Sequence, residues 1–346
     1  MTIYQDNVET ESAPLMRGAD ARPLRGRYAP SPTGEMHVGN ASTALLAWLS
    51  IRARDGRLVM RMEDLDRPRV RPHAADRILS DLVWLGIDWD EGPDVGGPYA
   101  PYEQSRRTER YETAFRHLRD EGRLYPCFCS RRDIAKAASA PQTPGDEVRY
   151  PGTCRGLSPE EIDRRIRDGA RYAWRFRVDE DERPVFVDEV AGVCGAGDAP
   201  GDFVVRRGDA VAAYQLAVVV DDADMGITEV VRGDDLLSST RRQLLLFEAL
   251  GKPCPTFGHV PLLLGADGIR LSKRHQGVTL RELRETGYSP EEVVGEIAFA
   301  IGLRPKRDAL RATDLIDGFS LADVPANPEG IVVDPSTWRA GSGPSN

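Results

Sequence analysis

Hydrophobic and polar positions fall into two periods along this chain, and the switches between them mark its elements. Residues 1–24 show neither period; they are polar and aperiodic, which predicts a mobile N-terminus. A short strand at Arg27-Tyr28-Ala29 begins the ordered chain, followed by a Pro30-Ser31-Pro32-Thr33-Gly34 turn. Leu45, Leu46, Trp48, Leu49 and Ile51 then form the apolar side of a helix predicted over His37–Arg54, which Gly56 ends. Arg57–Met62 reads as the next strand, and Ala74–Leu85 and Gln104–Glu121 as helices. A β-α-β opening of this kind predicts an α/β fold with a doubly wound, Rossmann-type parallel sheet.

Between residues 100 and 204 the texture changes. A Pro/Gly-punctuated loop spans 140–152, and Ser158 with Glu161 forms a capping box for the helix that follows. Alternating segments at Tyr172–Val178 and Val185–Asp188 predict antiparallel strands, so this section reads as an inserted α+β subdomain. The valine-rich run Ala213–Asp221 then predicts a strand buried on both faces, with a further strand at Thr228–Arg232. Thr240–Leu250 reads as a helix capped by Thr240 and stopped by Gly251, and His259–Leu264 completes the sheet. Ser289-Pro290-Glu291-Glu292 is a capping box with proline at N1, opening a helix to Gly302. The expected division is a mobile 1–24, a first catalytic half at 25–99 and the insertion at 100–204. A second half at 205–275, a helical segment at 276–320 and a disordered, Pro/Gly/Ser-rich tail at 321–346 complete it.

Composition narrows the class. The 346 residues suit about two domains, or one domain with a large insertion, and 40% hydrophobic content supports a sizeable core. The longest aliphatic stretches, such as Val218–Val220 and Leu262–Leu264, fall far short of the ~20 apolar residues of a membrane span. Asp6, Glu9 and Glu11 stand where a signal peptide would need an apolar run, so the expected location is cytoplasmic, away from membranes. A net charge of −9 does not advertise a nucleic-acid binder. Contact with RNA would rest on local arginines: Arg131 and Arg132, the run 164–171, Arg206 and Arg207, Arg241 and Arg242.

Three segments carry candidate chemistry. In the first, a strand ends near Arg27, glycine allows a tight turn, and a helix starts at His37-Val38-Gly39-Asn40. Free N–H groups at a helix start suit phosphate, His37 adds a donor, and Gly39 lets a purine approach the backbone. The second is the loop Gly268-Ile269-Arg270-Leu271-Ser272-Lys273-Arg274, three cations and a hydroxyl beyond the last sheet strand. Alone it would be an ordinary basic loop; beside a nucleotide it can neutralise charge on a phosphoryl group in transfer. The third is Cys127-Phe128-Cys129 with Cys154, three thiols in one small region, which suits zinc. A fourth ligand is needed, and the closest histidine is His117. Cys194 and Cys254 stand alone and read as packing residues.

The first two segments together resemble the paired signatures of class I aminoacyl-tRNA synthetases. Arg27–Gly34, Arg61–Asp66, Tyr214–Asp222 and Val230–Asp235 resemble the glutamyl branch, over about residues 25–303. Asn40 stands where the first signature usually ends in histidine, and Arg270 where the second begins with lysine. The resemblance implies a glutamate pocket of Arg27, Ala29, Ser31, Glu63, Tyr214 and Arg232, with Glu63 holding the substrate ammonium. It implies ATP contacts from His37, Gly39, Asn40 and Lys273, and catalytic roles for His37, Ser272 and Lys273. It also points to Tyr150 as the fourth ligand of a structural Zn²⁺ beside Cys127, Cys129 and Cys154, and to Mg²⁺ with ATP. Only 73 residues follow Lys273, too few for the anticodon-binding region of a glutamyl-tRNA synthetase. The nearer resemblance is to glutamyl-queuosine tRNA(Asp) synthetases, monomers that would take L-glutamate, ATP and tRNA(Asp) carrying queuosine. Transfer to tRNA(Glu), a small metabolite or a carrier protein is the alternative.

Overall fold

The computed structural model describes residues 22–130, 132–134, 149–269, 271, 279–334 and 338. Its first strand, β1 (Arg25–Tyr28), leads through the Pro30–Gly34 turn into helix α1 (Val38–Arg52), and β2 (Arg57–Met60) follows parallel to β1. Gly26 lets this unit close up, because a Cβ there would sit about 2.5 Å from Ile51 of α1. Helix α2 (Ala74–Trp84) comes next, and the segment foreseen as one helix from Gln104 splits into a 3₁₀ turn, Gln104–Arg106, and α3 (Thr108–Asp120).

The strands that follow sort into two sheets. β3 (Leu124–Cys127), β4 (Ala173–Phe176) and β7 (Phe203–Arg206) form a small antiparallel sheet, with α4 (Pro159–Arg167) between β3 and β4 in sequence. Ser158 caps α4 by accepting from the Glu161 amide. β5 (Phe186–Asp188) and β6 (Gly192–Cys194) do not stay with that sheet. β5 pairs parallel with β9 (Thr256–Val260), and β9 with β8 (Glu229–Gly233), so among the described residues the large sheet runs β2-β1-β8-β9-β5-β6. All its pairings are parallel except β5 with β6. The expectation of a parallel α/β sheet is met, while Val185–Asp188 belongs to the large sheet and not to the antiparallel one.

Both faces of the large sheet are covered. Leu58, Met60, Val231 and Val260 point into a core shared with α1, α2, α7 (Leu280–Glu285) and α8 (Pro290–Ala300). Val59, Val230 and Phe257 point the other way, into a core with α3, α5 (Tyr214–Asp224) and α6 (Leu237–Ala249). Alternate residues of one strand thus serve opposite cores, as a doubly covered sheet requires. The capping box at Ser289 forms as its sequence predicts, and Thr279 builds another at the start of α7.

Three expectations are corrected. Ala213–Asp221 is not a strand; Tyr214–Asp224 is a helix, because every residue from Leu216 to Asp222 is buried and such a run lacks the apolar–polar period that separates helix from strand. Thr240 is not a cap: the helix begins at Leu237, and the Thr240 hydroxyl is buried against side chains described below. Residues 321–346 are not a frayed tail throughout. Leu321, Val324, Val333 and Trp338 are buried, and β11 (Ile331–Val332) pairs in parallel with β10 (Leu263–Leu264). No described helix is long and apolar enough to cross a membrane.

Candidate active site

The order of the large sheet marks a place for a ligand. Connections leave β1 toward β2 and β8 toward β9, so the direction of winding reverses between the neighbours β1 and β8. Open α/β sheets bind ligands at the carboxyl ends of the strands at such a reversal. Arg27 lies one residue from the end of β1, and Arg232 one residue from the end of β8. Glu63 follows β2, and Tyr214 opens α5. The structure therefore gathers Arg27, Glu63, Tyr214 and Arg232 at one edge. Ala29 is half-buried just beyond β1; Ser31 is exposed, its carbonyl accepting from the Thr33 amide at 2.8 Å.

A buried charge network underlies these groups, and its key members carry no role in the sequence reading. Arg61, fully enclosed at the end of β2, donates to Asp222 at 2.7 Å and to Glu63 at 3.2 Å, and stands 3.8 Å from Asp221. Asp221 also accepts from Arg107, from Gln104 Nε2 at 2.8 Å and from Tyr111 Oη at 2.8 Å. Arg27 Nε lies 3.5 Å from Asp222, and its Nη1 donates to the Val231 carbonyl at 3.2 Å. Burial pushes the Glu63 and Asp221 carboxyls up against the pull of Arg61. Burial likewise opposes the charge on Arg61, but Asp222, Asp221 and Glu63 outweigh it and hold the guanidinium firmly charged. Helix α5 makes this possible: it sets Asp221 and Asp222 two turns beyond Tyr214, facing the end of β2.

Arg232 is held differently. Its Nε donates to His259 Nε2 at 3.0 Å, its Nη2 to Thr240 Oγ1 at 2.8 Å, and its Nη1 to Tyr214 Oη at 3.5 Å. These partners are all uncharged in the geometry seen. His259, paired in register with Arg232 across β8 and β9, places Nδ1 at 2.6 Å from Asp188 Oδ2. Among the described residues, no carboxylate stands within ion-pair distance of Arg232, which is only 4% exposed. Burial accordingly lowers its affinity for a proton. A buried cation without an anion is costly, so this position suits an anionic ligand.

The phosphate-handling residues are described only in part. His37 is the N-cap of α1 and makes no side-chain cap bond; Gly39 and Asn40 fall in the first turn, where amide groups point out of the helix end. Asn40 accepts at its carbonyl from Tyr28 Oη at 3.2 Å. Ser272 and Lys273 lie outside the described residues. The flanking residues show where their segment attaches: Leu271 is buried in the core with α1, and Thr279 bridges to His37.

Cys127, Cys129 and Cys154 form a separate cluster at the end of β3, their sulfurs all within 4.8 Å of one another. Cys129 and Cys154 are 3.6 Å apart, too far for a disulfide. Tyr150 Oη stands 3.4 Å from Cys127 and 3.9 Å from Cys129. A tetrahedral zinc site with ligand bonds of about 2.0–2.3 Å has ligand–ligand edges of about 3.5–3.8 Å, which these separations match. The Tyr150 oxygen accepts from the Cys154 amide at 2.7 Å and the Arg175 guanidinium lies 3.9 Å over its ring. Burial and the hydrogen bond from Cys127 outweigh the amide and push the phenol well above its usual range, so ionisation there would need the charge of a bound metal. The residues fit a metal ion of the zinc type.

Residues 23–328 match the family of tRNA synthetases class I (E and Q), catalytic domain. A glutamyl-Q tRNA(Asp) synthetase of Symbiobacterium thermophilum is 55% identical over 313 residues, covering 89% of this chain and 96% of its own. One from Nitratidesulfovibrio vulgaris is 48% identical, covering 88% and 94%. Glutamate–tRNA ligase 1 of Halorhodospira halophila is 44% identical over 88% of this chain and 64% of its own. Among solved structures, a glutamate-tRNA synthetase from Elizabethkingia anophelis superposes with a TM-score of 0.79 at 28% identity, over 92% of this chain and 70% of that one.

Proposed function

Because the chain belongs to the class I tRNA synthetases of the glutamyl and glutaminyl type, a family of ligases, we propose that it activates L-glutamate with ATP and transfers it to queuosine at the wobble position of tRNA(Asp). The higher identity to glutamyl-Q synthetases than to glutamate–tRNA ligases supports this acceptor. The observation that carries the substrate is Arg232, a buried guanidinium lacking a carboxylate among the described residues. Glutamate brings two carboxylates and one ammonium. Arg232 and Arg27 take the carboxylates, since arginine binds them through two parallel hydrogen bonds, and Glu63 takes the ammonium. Ala29, Ser31 and Tyr214 complete the pocket.

In the first step a glutamate α-carboxylate oxygen attacks the α-phosphorus of ATP. An O–P bond forms, the bond to the β-phosphate oxygen breaks, and pyrophosphate leaves. His37 and the first turn of α1 hold the phosphates, Gly39 and Asn40 border the nucleotide, and Ser272 and Lys273 offset charge on the reacting phosphate. Mg²⁺ bound with ATP supplies further neutralisation of the polyphosphate. In the second step an acceptor hydroxyl attacks the adenylate carbonyl, an ester forms and AMP departs. Zinc at Cys127, Cys129, Tyr150 and Cys154 is structural, fixing the end of β3 beside the small sheet.

Exchange of labelled pyrophosphate into ATP tests the activation step. Glutamate should support it, and aspartate or glutamine far less. Arg232→Met should lower kcat/KM for glutamate by about 10²-fold or more, the scale of removing one partner from a buried charge pair. Lys273→Ala should slow exchange by roughly 10²–10³-fold. Exchange driven equally by glutamine, or unchanged in both variants, would overturn the reading.

A further inference from the structure

The carboxylate-binding arginine is itself oriented by a buried chain of side chains that reaches across the large sheet. Asp188 ends β5, His259 stands near the end of β9 and Arg232 near the end of β8, three adjacent strands. Asp188 Oδ1 accepts from the amides of Val190, Ala191 and His259, at 3.0, 2.9 and 3.0 Å, which fixes the carboxylate. Its Oδ2 faces His259 Nδ1 at 2.6 Å. A carboxylate only accepts, so Nδ1 carries the proton and Nε2 is left with a lone pair. That lone pair takes the Nε–H of Arg232 at 3.0 Å. Thr240 Oγ1, 3.1 Å from the same Nε2, takes an N–H from Arg232 Nη2 at 2.8 Å. Asp188, His259, Thr240 and Arg232 are each at most 4% exposed, so water does not compete for these bonds.

Counting donors shows what is left for a ligand. Arginine has five N–H groups. His259, Thr240 and Tyr214 occupy one each on Nε, Nη2 and Nη1. One N–H remains on each terminal nitrogen, and a carboxylate can take a bond from both. We infer that Asp188, His259 and Thr240 are positioning residues that hold Arg232 with this pair presented to the glutamate carboxylate, and thereby set selection of the acid over its amide. The amide of glutamine offers an N–H₂ where the fixed fork offers only donors. This inference rests on the assignment of Arg232 to glutamate, and the selection of acid over amide on Arg232 taking the side-chain carboxylate and Arg27 the α-carboxylate.

The imidazole tautomer is the sensitive point. Asp188→Asn keeps the size and the backbone contacts but sets an N–H against Nδ1, which moves the ring proton to Nε2. Nε2–H then opposes Arg232 Nε–H, and the fork turns away. His259→Gln keeps an acceptor at the Nε2 position, while His259→Phe keeps bulk and removes it.

The test is pyrophosphate exchange with separate KM values for glutamate and ATP, alongside thermal unfolding of each variant. Asp188→Asn and His259→Phe should raise KM for glutamate by about 10-fold or more, the scale of losing one charge-assisted hydrogen bond, with KM for ATP within about twofold. His259→Gln should recover most of the loss, and Thr240→Val should raise the glutamate KM by a few fold. Should Asp188→Asn fail to fold, the His259→Gln against His259→Phe comparison decides. Unchanged glutamate KM in the folded variants, or equal changes for ATP and glutamate, overturns the positioning role. If the wild-type chain does not activate glutamate at all, the fault lies with the substrate assignment instead.

Discussion

At the scale of single residues, the sequence makes legible the residues proposed to touch substrate and hides the buried network behind them. Arg27, Glu63, Tyr214 and Arg232 lie far apart in the chain, yet the motifs around them gather at one edge of the sheet. Arg107, Asp188 and His259 carry no comparable signal, and Arg61 stands in a resembling segment without a role read for it, because nothing local distinguishes a buried ion-pair member from a surface one. The one available hint is the Asp221-Asp222 pair ending an apolar run, since two adjacent acids buried there demand cations. The Asp188–His259 pair also has a consequence for stability. Burial holds His259 below the usual imidazole range against the pull of Asp188, with Arg232 and Arg27 adding to the effect. Burial works to raise Asp188, but its hydrogen bonds from His259 and from backbone amides prevail and hold it low. Below pH ~6.5 the unfolded chain therefore binds the His259 proton more readily, and stability falls with acid by up to about 1.4 kcal/mol per pH unit. Asp188 adds a second loss once pH drops below about 4. Urea unfolding at pH 7.5, 6.5 and 5.5 should show this decline, and His259→Gln should flatten it; an equal decline in both proteins would refute the assignment.

At the scale of elements, several helices and the capping box at Ser289 are read correctly, and failures such as the Thr240 cap occur where tertiary contacts override local pattern. α1, α2 and α8 fall within two residues of expectation, α8 through its capping box and all three through apolar positions followed closely by a glycine, Gly56, Gly86 and Gly302. The α5 run misleads because valine favours strands in isolation, while enclosure on nearly all sides removes the polar face that would reveal a helix. The cysteine cluster is the opposite case, a long-range contact that chemistry alone makes visible. Metal binding there should support the small sheet directly, since ligand binding at a structural site adds to folding free energy. Protein purified without chelator should carry about one zinc per chain by elemental analysis, a stoichiometry that follows from the four-donor set. Cys154→Ser should release the metal and lower the unfolding temperature, with hydrogen exchange rising first around β3, β4 and β7. Full stability and exchange protection in metal-free wild-type protein would assign the cysteines to packing.

At the scale of the whole molecule, the parallel α/β plan is visible in the sequence, while the assembly of its edges is not. β5 and β6 join the large sheet although their sequence neighbours β4 and β7 build the small one. The chain after residue 320 returns to the core at Leu321, Val324, Val333 and Trp338, apolar positions too widely spaced among prolines and glycines to show a period. That return places β11 against β10, directly before the segment that carries Ser272 and Lys273. Among the described residues of the arginine clusters that sequence suggests for RNA contact, some make surface ion pairs within the chain. Arg164 and Arg165 pair with Glu161, and Arg207 with Asp209. The acceptor itself is the central claim, and the most direct measurement offers labelled glutamate to tRNA(Asp) with and without queuosine, and to tRNA(Glu), then locates the label by nuclease digestion. The account predicts label in an anticodon-loop fragment of the queuosine-bearing tRNA(Asp) alone. Label at the 3′ adenosine of tRNA(Glu), or glutamate activation with no tRNA labelled, would contradict it.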